Sequence, residues 1–75
     1  MDFNELSGRI LELNKEFANT VADHELEKYT TSHVGRIHLM IQEIIELVDS
    51  KPPKEILDLL RCMGYELYRM RDKFL

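Results

Sequence analysis

The sequence predicts an all-α protein, a three-helix antiparallel bundle, and two observations carry that expectation. The first is periodicity. Three successive stretches place apolar residues at alternating spacings of three and four: Phe3, Leu6, Ile10, Leu13, Phe17; then Val34, Ile37, Ile41, Ile44, Val48; then Ile56, Leu60, Met63, Leu67, Met70, Phe74. Such spacing keeps the side chains on one stripe of a helix, the a/d seam of a bundle or coiled coil. The second is Pro52-Pro53, a pair that cannot continue a helix and that divides the second stretch from the third.

The first helix is expected over about residues 3–20. Asp2 can cap the amide of Glu5, Glu5 can reach back, and Met1 can pack against Leu6 as a hydrophobic staple. Asn19-Thr20-Val21-Ala22-Asp23 is the weakest helix-forming run that follows, and Asp23 is a candidate N-cap for the next element. The second helix is expected over about residues 24–49, kinked near 30–32. The kink follows from a change of face: Leu26, Tyr29 and His33 share one side, Val34, Ile37 and Ile41 another, and Thr30-Thr31-Ser32 lies between. The alternative is a short helix that ends there, with Ser32 capping its successor. The third helix is expected over about residues 53–74, with Pro53 in its first turn. Glu55 lies near its positive end, and Arg69, Arg71 and Lys73 near its negative end. The second and third helices form a hairpin at Pro52-Pro53 with the first folded against it. Eight of the twelve residues from Ile37 to Val48 are apolar, a stripe wide enough to touch two neighbours.

Seventy-five residues suit one small domain, which buries only about 60% of its unfolded surface and needs some added source of stability. An internal disulfide cannot supply it, because Cys62 is the only cysteine. Three scattered histidines give no ligand cluster for a structural metal, so no cofactor is expected. Self-association is the remaining supplement. The net charge of −4 disfavours nucleic acid as the main partner, because phosphate contacts need a basic field. The longest apolar run is Leu39-Met40-Ile41, against the roughly 20 residues that cross a bilayer. An acidic start and one thiol point to a reducing cytoplasm and no membrane.

The expected function is a small helical protein–protein interaction module of the regulator, adaptor or inhibitor type, a homodimer that also binds another protein. Its interface is expected at Leu57, Arg61, Gly64, Tyr65 and Tyr68, which lie off the seam of the third helix and include the residue types enriched at interface centres. Leu11 and Ala18 lie off the seam of the first. The three glycines, Gly8, Gly35 and Gly64, fall inside expected helices, where they either permit close approach or cost helix stability.

Two alternatives come from other classes. Glu43-x-x-Glu46, followed by Asp49 and then Glu55-x-x-Asp58, brackets the proline turn, and carboxylates on facing helices could hold Mg²⁺. The arrangement resembles the ExxE and ExxD motifs of the all-α nucleotide pyrophosphatases related to MazG. That resemblance implies a Mg²⁺-dependent enzyme using Glu43, Glu46, Glu55 and Asp58. Only eight residues separate the two motifs here, fewer than that family's usual spacing. The other alternative is nucleic-acid binding through Arg61, Arg69, Arg71 and Lys73 with Tyr65 and Tyr68 between them, a face that Glu66 and Asp72 interrupt. His33 and His38 are five apart, not the four that would let them share a metal on one helix face, and no Cys–His pairing follows from spacing.

Overall fold

A computed structural model describes residues 2–74 as three helices, α1 (Phe3–Glu25), α2 (Thr31–Asp49) and α3 (Lys54–Asp72). Asp2 caps α1 as its position suggests: its carboxylate accepts from the Glu5 amide at 2.8 Å. The Met1 staple lies outside the described residues.

The middle of the chain departs from expectation. Residues 24–49 are not one kinked helix; α1 runs on to Glu25, and α2 starts at Thr31. Asp23 is therefore inside α1 and caps nothing. The stop is a Schellman motif: the Lys28 amide donates to the Asp23 carbonyl at 2.9 Å and the Glu27 amide to the His24 carbonyl at 3.1 Å. The motif demands a left-handed residue, and Glu27 takes that conformation at φ 58°. Thr30, not Ser32, then caps α2, its hydroxyl accepting from the His33 amide at 3.1 Å. α2 ends similarly, with Lys51 left-handed at φ 55° and its amide bonded to the Val48 carbonyl at 3.1 Å. Pro52 has no N–H for the second bond of a full Schellman motif, and the chain turns into α3.

α2 is the central element. Ile37, Met40, Ile41, Ile44 and Leu47 from α2 join Leu60, Met63, Leu67 and Met70 from α3, whereas α1 adds only Leu6 and Leu13 to the buried apolar core. The α1–α2 pair is antiparallel, since Arg9 reaches Glu43 and Asp23 reaches Arg36. So is the α2–α3 pair, with Ile44 beside Gly64 and His33 beside Phe74. α1 and α3 consequently run parallel, and Ile10, Phe17 and Val21 of α1 and Ile56 of α3 are half-buried against the core. Thr20 is fully buried in α1, its hydroxyl donating to the Glu16 carbonyl one turn back at 2.8 Å.

Two kinds of glycine substitution should stabilise this fold for opposite reasons. Glycine at Glu27 removes the left-handed penalty of roughly 1–2 kcal/mol, so Glu27→Gly should raise the urea midpoint. Within the helices, a Cβ on Gly8 or Gly35 meets nothing within 4 Å. Gly8→Ala and Gly35→Ala should each add up to about 1 kcal/mol in the same measurement.

Candidate functional site

The face expected on α3 is only partly a face. Arg61, Tyr65 and Tyr68 are exposed and Leu57 is half-buried, but Gly64 is buried on the α2 side, where a Cβ would stand 3.6 Å from Ile44 Cγ2. Gly64 therefore belongs to helix packing, not to an outward surface. The two tyrosines already carry cations of their own chain. The Arg69 guanidinium lies 5.9 Å from the Tyr65 ring centroid and that of Arg71 4.7 Å from Tyr68. Arg69 also pairs with Glu66 at 3.5 Å.

The acidic residues do not gather. Arg9 of α1 sits between Glu43 and Glu46, at 2.8 Å and 3.2 Å, and the hydrogen bond it donates to Glu43 makes the guanidinium still harder to deprotonate. Glu55 and Asp58 are exposed on α3. Among the described residues, no three His, Cys, Asp or Glu side chains converge as a cation site would require. The turn at residues 50–53 between the two motifs brings their helices together, but a cation from α1 already occupies one half.

Two features escape a reading of residue types. The first is a shallow cleft between the parallel helices α1 and α3, lined by Ser7, Ile10, Leu11 and Asn14 on one side and Ile56 and Leu59 on the other. No charged side chain lines it. Leu11 is 57% exposed and Leu59 41%, and Phe3, further along α1, is 69% exposed. The surplus at Leu11 was visible in the sequence; its meeting with Leu59 depends on how α1 is set.

The second is an aromatic corner where all three helices end or begin. His24 of α1, Tyr29 of the connecting loop, His33 of α2 and Phe74 beyond α3 bring their rings within 5.1–6.3 Å of one another. His24 Nδ1 and His33 Nε2 are 3.0 Å apart. The two rings are inclined by only 23°, with centroids 5.3 Å apart, so they meet edge to edge along a nearly straight N–H···N bond and do not overlap face to face. His33 has no exposed surface, and its Nδ1 has no hydrogen-bond partner. The favoured tautomer places the proton on His33 Nε2, donating to His24 Nδ1, because a bare buried lone pair costs less than a bare buried N–H. Burial, reinforced by His24 and Arg36, holds the His33 pKa below its ordinary value and so favours the uncharged ring; Asp23 opposes this weakly. Arg36 bonds Asp23 at 2.7 Å and holds that carboxyl below the usual carboxylate range. Lys73 lies 4.8 Å over the Tyr29 ring.

Compared with known proteins, the chain matches no family model, no curated protein and no solved structure.

Two measurements follow. Mg²⁺ or Mn²⁺ added to the protein should leave the melting temperature at its value in an ionic-strength control, because the four carboxylates do not converge. The Asp23–Arg36 pair gives the opposite kind of expectation. Its carboxyl is depressed, so its contribution is present above the unfolded value of 3.8 and lost as pH falls through the folded one. Asp23→Asn should therefore lower the urea midpoint at neutral pH and lose its effect in strong acid.

Proposed function

We propose that this chain is a small helical protein-interaction module that associates with a second copy of itself and acts as a regulator, adaptor or inhibitor. The uncharged cleft between α1 and α3, with Leu11 and Leu59 exposed at its rims, is the observation that carries this reading. Apolar surface of this kind gains free energy when covered, at roughly 25 cal/mol per Å². The chain also has reason to cover it, since α1 adds only Leu6 and Leu13 to the buried apolar core. A helix from a second copy laid into the cleft would convert three helices into a four-helix arrangement, with coiled-coil-like packing along the seam.

The aromatic and basic face at Leu57, Arg61, Tyr65 and Tyr68 is the second surface, suited to a different protein. Its tyrosines present flat rings already backed by Arg69 and Arg71, which favours a partner offering carboxylates and apolar side chains. Cys62 is exposed and unpaired, which accords with a reducing cytoplasm. No described helix is long and apolar enough to cross a membrane.

Sedimentation equilibrium across micromolar concentrations tests the self-association. The wild-type chain should show a dimer, and Leu11→Glu with Leu59→Glu should return it to a monomer with its helical content intact. Tyr65→Ala with Tyr68→Ala should leave the dimer in place. A wild-type chain that stays monomeric over the whole range overturns the reading.

A further inference from the structure

We propose that His24 and His33 form an acid-sensitive latch, which clamps the end of α1 to the start of α2 while both rings are uncharged and releases that corner on acidification. The inference is independent of the self-association reading, because it rests on the aromatic corner and not on the cleft.

Geometry makes the pair a latch. The N–H···N bond at 3.0 Å is one of a few polar ties between α1 and α2, and it joins residues nine apart across the Glu25–Thr31 turn. That turn is held from within by the Schellman bonds and by the Tyr29 hydroxyl, which donates to the His24 carbonyl at 3.4 Å. Phe74 meets His24, Tyr29 and His33 edge-on, so the same corner also seats the end of the chain. α1 has few other anchors, and loss of this one would be felt locally.

Protonation works against the pair in two ways. The uncharged pair already shares one proton across its N–H···N bond. Adding one to His24 Nδ1 either sets two N–H groups against each other or drives His33 to a tautomer whose buried Nδ1–H has no acceptor. A further proton would place two positive charges at hydrogen-bond distance. His33 is also fully buried, and its Nδ1 has no acceptor to take a proton. The surroundings do not remedy this. Asp23 of α1 is the nearest carboxylate, but Arg36 of α2 already bonds it, and Lys28 of the loop adds a further positive charge nearby. On the α3 side, Glu66 lies in the cleft beside His24 but pairs with Arg69, and Lys73 stacks over Tyr29. Among the described residues that face the corner, none offers an added proton an uncommitted anion.

The direction with pH follows. A histidine whose folded form resists protonation contributes stability that is full above the unfolded value of 6.5 and is lost as pH falls through the folded one. In that window the opened state binds one more proton, so the closed-to-open equilibrium should fall about tenfold per pH unit. The Asp23 carboxyl gives way only below 3.8, which keeps the two effects apart.

The test is urea unfolding and amide hydrogen exchange on the full chain from about pH 7.5 to about pH 5, with exchange corrected for its intrinsic pH dependence. The wild-type midpoint should drop across this range, and amides of Leu26–Thr30 and His33 should lose protection before those of Met40–Leu47. In His33→Phe the midpoint should be nearly level. Should that variant fail to fold, His24→Gln supplies the comparison: Gln still accepts from His33 Nε2 but has no basic nitrogen to take up the added proton, so its midpoint should fall less steeply than the wild type. A level wild-type profile overturns the proposal. So does an equal fall in whichever variant is compared, or a loss of protection uniform along the chain.

Discussion

Everything in this fold hangs on the apolar stripe of α2. Ile37, Met40, Ile41, Ile44 and Leu47 face both neighbours, and α1 and α3 touch each other only weakly. α3 is held by tight packing: Leu60 and Leu67 have no exposed surface, and Gly64 is buried beside Ile44. α1 is held by less. Its two buried leucines, seven residues apart, are supplemented by polar ties at either end, Arg9 to Glu43 and Glu46 near the start and Asp23 to Arg36 near the finish. Exposed ion pairs contribute only about 0–1 kcal/mol each, so they orient α1 more than they stabilise it.

That asymmetry links packing to function. A helix seated on one neighbour and barely on the other leaves an open apolar seam, and the seam is the surface most in need of cover. The same asymmetry puts weight on the corner where α1 turns into α2. There a buried, uncharged histidine, its half-buried partner histidine and two further rings gather the ends of three helices. The acidic residues around Pro52-Pro53 have a structural part instead: Glu43 and Glu46 receive Arg9 and so help to set the angle of α1.

The helices were legible because a repeat of three and four is hard to produce by any other structure. Their ends were less so. Helix stops are read from glycine, and here the left-handed positions are filled by Glu27 and Lys51, residues that carry no such signal. Pro52 marks the second stop, whereas no glycine or proline marks the first, so the expected α1 ends five residues early and its last turn falls in the next element. The change of face around Thr30-Thr31-Ser32 did mark a boundary; Thr30 caps because the Schellman turn places it, not Ser32, where the His33 amide can be reached. Gly64 misled in a different way. Its neighbours Arg61, Tyr65 and Tyr68 point outward, but one step around the helix turns Gly64 into the core.

By itself the sequence determined that this protein is all-α, that its second helix is central, and that its proline pair makes a hairpin with the third. Those properties are local or periodic, and each follows from the backbone and from one helix at a time. The tertiary structure decided that Arg9 meets Glu43, that Leu11 meets Leu59 across a cleft, and that His24 meets His33. Such contacts depend on the angle at which α1 leaves its turn, and a pattern along one helix carries no information about that angle.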